Sequence, residues 1–95
     1  MAQQLRIINN VSIAAESSSN SSSALVIPTG LVRVVSTVEA HISFTATSGT
    51  ATLTDMVIGA GQVNLFLIPD GTFINGLRAH GTNGVISISC VSIGR

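Results

Sequence analysis

The chain has 95 residues, 45% apolar and only 8% charged, and its four basic residues, all Arg, balance four acids to a formal net charge of zero. Val, Ile and Thr number ten, eleven and nine, while Lys, Tyr and Trp are missing, a balance that disfavours helical bundles and coiled coils and points to an all-β domain. The apolar content excludes a wholly disordered chain, the even charge excludes an electrostatic footprint for nucleic acid, and the single Cys90 excludes an internally disulfide-stapled scaffold.

In chain order, the first segment carries Leu5, Ile7, Ile8, Val11 and Ile13 in a strand-like pattern, with Asn9-Asn10 as a turn or bend. Residues 1–15 read in two ways: an intermolecular arm, with Leu5, Ile7 and Ile8 adding a strand to a neighbour, or the first strand of the chain's own sandwich. The tract Glu16-Ser17-Ser18-Ser19-Asn20-Ser21-Ser22-Ser23 follows and reads as a flexible polar linker or loop. From residue 24 to residue 95 turn signals recur every eight to twelve residues, the spacing of a β-sandwich. They are Pro28-Thr29-Gly30, Ser48-Gly49, Gly59-Ala60-Gly61, Pro69-Asp70-Gly71 and Thr82-Asn83-Gly84.

Strands are expected near 24–27, 31–38, 40–46, 53–58, 63–68, 72–80 and 85–93, giving about eight with the first segment. The expected fold is an antiparallel β-sandwich or jelly-roll-like barrel. Asn83-Gly84 is the signature of a type I′ turn and predicts a hairpin of 72–80 with 85–93. Ile86, Ile88 and Cys90 alternate with Ser87, Ser89 and Ser92, which places one face of the last strand in the core. Ile42 and Phe44 alternate with His41, Ser43 and Thr45 in the same way. Strand 63–68 is apolar on both faces apart from Asn64, so its second face lies against either a loop or another subunit, and Leu65, Phe66 and Leu67 are candidate contacts to a neighbour. Gly76 within a strand predicts a bulge or a close backbone approach.

Chemistry is sparse. His41, His80, Glu39, Asp55 and Asp70 are the candidate acid–base groups, but Ser is so abundant that a Ser-His-Asp combination carries no information. No nucleophile elbow, metal-spaced His pair or phosphate loop is present, since Gly59-Ala60-Gly61 lacks a third Gly. No catalytic residue, cofactor or metal ligand is assigned, and the expectation is a protein that is not an enzyme. Cys90 reads as a small buried hydrophobe, and Asp70 as a turn-former capping a local amide. Phe44, Phe66 and Phe73 are the whole aromatic set and offer no platform for bases or sugar rings. No secretory leader or membrane span is read, so a membrane is not an expected partner, and the even charge and missing stacking platform make nucleic acid an unexpected one too. So few charges on a small soluble domain suggest that neighbours cover part of its surface.

The order Arg33-Val34-Val35-Ser36-Thr37, His41-Ile42-Ser43-Phe44, Asp55-Met56-Val57-Ile58-Gly59-Ala60-Gly61, Phe66-Leu67-Ile68-Pro69-Asp70-Gly71-Thr72-Phe73-Ile74 and Gly84-Val85-Ile86-Ser87-Ile88 resembles small tailed-bacteriophage virion structural proteins of the capsid decoration, or cement, kind. The likeness spans Leu31 to Val91; the Ser tract and the segment before it lie outside it. It implies a sandwich that binds the major capsid protein or other virion proteins, sits on the capsid surface after synthesis in the host cytoplasm, and self-associates as an oligomer such as a trimer. The alternatives carried beside it are a tail, adaptor or fibre-associated virion protein, a lectin-like receptor-binding module and, last, a small hydrolase.

Overall fold

A computed structural model describes the backbone of residues 4–27 and 30–94, and side chains within 10–27 and 30–91. Eight strands form and, among the described residues, no helix: β1 (Gln4–Ala15), β2 (Asn20–Ser21), β3 (Leu31–Ser36), β4 (Ala40–Thr45), β5 (Met56–Ile58), β6 (Asn64–Leu67), β7 (Phe73–Arg78) and β8 (Gly84–Gly94). They make two four-stranded sheets, ordered β1-β8-β3-β6 and β2-β7-β4-β5, with every ladder antiparallel.

The pairing has a simple logic. β1 runs beside β8, β2 beside β7, β3 beside β6 and β4 beside β5, like one long two-ply ribbon. Wrapping that ribbon brings β3 against β8 and β4 against β7. This is the jelly-roll topology, two Greek keys closed into a double sheet.

The alternating apolar residues meet between the sheets. Val32 and Val34 of β3, Ile42 of β4, Ile74 of β7, and Ile86, Ile88 and Cys90 of β8 are all at most 1% exposed. Phe44 and Phe66 close the β4/β6 side of this core edge to face, with ring centroids 5.0 Å apart. Gly76 marks a close approach, with no bulge in its ladders: a Cβ there would lie 2.3 Å from Ile86 Cδ1 across the sandwich.

Several sequence expectations are corrected. Strands 72–80 and 85–93 do not form a hairpin, because β7 and β8 lie in opposite sheets. Neither Asn83 nor Gly84 takes the positive φ a type I′ turn needs. Asn83 instead accepts a hydrogen bond from Arg78 Nη1, and residues 79–83 carry the chain across to the other sheet. The backbone beside β3 then holds the new strand: Thr37 N donates to Val85 O and Val85 N to Thr37 Oγ1. Gly84 is needed there for proximity, since a Cβ would meet Thr37 Oγ1 at 2.5 Å and Val38 at 2.7 Å.

The Ser tract forms a loop of the sandwich. It includes β2, and its hydroxyls satisfy backbone and side chains of other elements, which short polar side chains do well when a polar surface lies beneath them. Residues 24–27 are not a strand, although Leu25 N donates to Thr72 O and Leu25 O accepts from Gly71 N. Asn9-Asn10 makes no turn: the strand runs through, with a register shift between Ile7 and Asn9 that marks a β-bulge.

Residues 4–15 pair with β8 of the same chain along the strand, from Gln4 opposite Gly94 to Ala15 opposite Gly84. Ile13 and Ala15 are buried in the shared core. The side chains of Leu5, Ile7 and Ile8 lie outside the described ones, as does that of Ser92.

Candidate functional site

The acid–base candidates do not converge. His41 is buried on the outer side of the second sheet, its Nδ1 3.0 Å from the Asp55 carbonyl oxygen. His80 pairs with Glu39 at 2.8 Å, both well exposed to solvent, which makes this pair worth little to stability. Asp55 uses a carboxylate oxygen to accept from Thr52 N at 2.7 Å, holding the turn before β5.

Asp70 does not cap its own turn. Its Oδ1 accepts from Ile27 N at 2.6 Å, a bond across 43 positions that fastens the 24–27 segment to the β6–β7 turn. Cys90 is fully buried, and its thiol is pushed above the usual range by burial first and by the negative charge of Asp70 second. Among the described residues no three His, Cys, Asp or Glu side chains are placed to hold a metal ion, and no helix is long and apolar enough to cross a membrane.

One hollow, of about 260 Å³, is lined by Phe44, Thr45, Ala46 and residues 69–72. Its hydroxyls are already engaged. Thr72 Oγ1 donates to Pro69 O, and Thr45 Oγ1 donates to Thr47 O while accepting from Asn75.

Asn75 is the densest polar node, and sequence reasoning passed over it. It is fully buried although it lies on the outer side of β7, because the Ser tract and the β4–β5 loop fold over it. Its Nδ2 donates to Ser43 Oγ at 3.2 Å and Thr45 Oγ1 at 3.0 Å, while Oδ1 accepts from Ser21 Oγ at 2.6 Å and Gly49 N at 3.3 Å. All four hydrogen-bonding positions of the amide are used, so the node is structural. An Asn between Ile74 and Gly76 in the middle of a strand is the signal that could have found it.

The surface itself carries large apolar side chains. Eight large apolar side chains are substantially exposed among the described residues: Val26, Leu53, Met56, Val57, Val63, Leu65, Leu67 and Val85. Six of them fall between residues 53 and 67, on or beside β5 and β6. These strands end their respective sheets on the same side of the sandwich, beside the facing strands β4 and β3. Leu65 (56% exposed) and Leu67 (80%) point outward, whereas Phe66 points inward onto Phe44. Of the three β6 contact candidates, two therefore reach the surface. Leu53, Met56, Val57 and Val63 join them, residues the sequence pattern did not single out.

Fold and surface together define a small jelly roll with little charge and with exposed apolar side chains on the end strands of both sheets. No family model, no curated protein and no solved structure matches the chain.

Proposed function

We propose that this chain is a bacteriophage virion structural protein, a capsid decoration protein that stabilises the shell by binding major capsid subunits. The observation that carries the reading is that six of the eight exposed large apolar side chains fall between residues 53 and 67, on or beside the end strands β5 and β6, in a chain with almost no charge. Such a surface suits a protein whose work is contact, because large apolar patches on small domains mark interaction sites. The dispersal of His41, His80, Asp55 and Asp70 over unrelated elements fits the same reading. A jelly roll serves many functions, so the fold itself adds only compatibility. The sequence resembles virion structural proteins as a group, and the capsid surface is the position proposed within that group.

On this reading Leu53, Met56 and Val57 rest against coat subunits. The contact is mainly apolar and main-chain, and its strength changes little with ionic strength because few charges are available to be screened.

The test uses particles grown from the phage genome that carries this gene, with and without a deletion of it. Density on the outer face of the shell that disappears with the gene, and particles that lose their DNA more readily without it, are the expected results. Density confined to the tail, or particles that do not contain the chain, would overturn the reading.

A further inference from the structure

We propose that β6 is a self-pairing edge, through which two copies of the chain join across a two-fold axis and fuse their β1-β8-β3-β6 sheets into one of eight strands. The pairing belongs to the chain by itself and holds whether or not a shell is bound.

The direction of the backbone groups follows from the ladder to β3. Leu31 lies opposite Leu67, so Gly30 lies opposite Ile68, and Ile68 N donates to Gly30 O at 2.6 Å. In an antiparallel ladder the inward-bonding residues alternate. Asn64 and Phe66 therefore bond toward β3, and Leu65 and Leu67 turn their N–H and C=O groups to the outer edge. Among the described residues no strand pairs with that side.

This edge lacks the features that keep others from pairing. β1 carries the bulge between Ile7 and Asn9, β2 is two residues long and β5 three. β6 is four residues, Asn64–Leu67, without charge, Pro or bulge.

The edge is also complementary to itself. With Phe66 on the two-fold axis, Leu65 stands opposite Leu67 of the second copy and Leu67 opposite its Leu65. Both pairs are of the hydrogen-bonded kind, so every outward backbone group of the strand finds a partner. Shifting the axis to Leu67 would bring Leu65 against Pro69, which has no N–H to give. Shifting it to Leu65 would bring Leu67 against Val63, beyond the end of the strand.

The side chains agree with that register. On the outer face one row reads Arg33, Leu65, then Leu67 and Leu31 of the second copy, and the two-fold repeats it in reverse. Six leucines thus form one apolar strip with an Arg at each of two diagonal corners. The two Arg33 residues stand about 16 Å apart, three strand spacings across and two residues along. That exceeds the screening length of about 8 Å at physiological salt, so like charge does not oppose the pairing. A four-residue edge buries less than the roughly 800 Å² per partner of a standard interface. The dimer is accordingly weak and reversible in free solution, and it gains where copies are held close together.

Two measurements test this. Sedimentation equilibrium of the full chain up to millimolar concentration should show a reversible monomer–dimer equilibrium, weakened about tenfold or more in Leu67→Lys, whose site is too exposed for the change to harm folding. Single variants Leu65→Cys and Leu67→Cys, mixed under mild oxidation, should cross-link to each other in preference to themselves, since the pairing sets their Cα atoms about 5.5 Å apart, within disulfide reach. Buried Cys90 stays out of the exchange. A chain that remains monomeric at millimolar concentration, a trimer, or cross-linking without preference for the Leu65–Leu67 combination would overturn the proposal.

Discussion

Gly76 of β7 lies directly against Ile86 of β8, with no room for even a methyl group between the two sheets: a Cβ at residue 76 would lie 2.3 Å from Ile86 Cδ1 and 3.1 Å from Ile13 Cδ1. The obstructing atoms are the ends of side chains, so an added methyl forces repacking without breaking the backbone. Gly76→Ala should destabilise the fold by about 1–3 kcal/mol. Urea unfolding measures this. Ile86→Val, which removes the offending Cδ1, should cost less in the Gly76→Ala background than in the native one, a coupling that two independent losses would not show.

Asn75 ties four partners together, so its loss should be felt beyond one contact. Asn75→Ala removes the acceptor of the Gly49 amide and one of the bonds made by each of the Ser21, Ser43 and Thr45 hydroxyls, which keep Gly49 O, Thr50 O and Thr47 O as acceptors, at a cost of about 1–3 kcal/mol. Hydrogen exchange locates the effect. Protection should fall first in residues 19–22 and 46–51, with β8 amides changing only as global stability does.

Removing residues 1–15 should unfold the chain. β1 covers β8 along its length and supplies Ile13 and Ala15 to the core, so the truncated sheet would expose Ile86 and Ile88. Circular dichroism and proton NMR of the truncated chain are the measurement. A folded, dispersed spectrum would mean that the segment acts as an arm after all.

Cys90 links stability to alkaline pH. Burial and the charge of Asp70 raise its folded pKa, so the folded state keeps the proton longer than the unfolded one. Its stabilising contribution is complete below the pH at which a free thiol ionises and declines as pH rises beyond that point. Unfolding midpoints of the native chain and Cys90→Ala across the alkaline range should therefore converge as pH rises. Thiol reagents should label Cys90 only at the rate of unfolding.

The all-β class, the approximate places of most strands, the core face of Ile86, Ile88 and Cys90, and the close approach at Gly76 were legible in the sequence. Each depends on properties that belong to a residue and its immediate neighbours: β-branching, a period of two, the missing side chain of Gly. Pairing is different, because a strand's pattern says which face is apolar and nothing about which strand lies beside it. Asn83-Gly84 carries the local signature of a hairpin, yet the demands of closing two sheets override it, with Arg78 and Thr37 taking the bonds on either side. The Ser tract shows the same limit from the other direction. Its residues look unable to pack until Asn75, 54 positions from Ser21, offers them a polar floor. Strand 63–68 is apolar on both faces apart from Asn64 in the sequence, and only the tertiary structure, by placing Phe44 against Phe66, decides that Phe66 belongs to the core while Leu65 and Leu67 face outward. Such decisions rest on contacts between distant segments, and those exist only once the ribbon has wrapped.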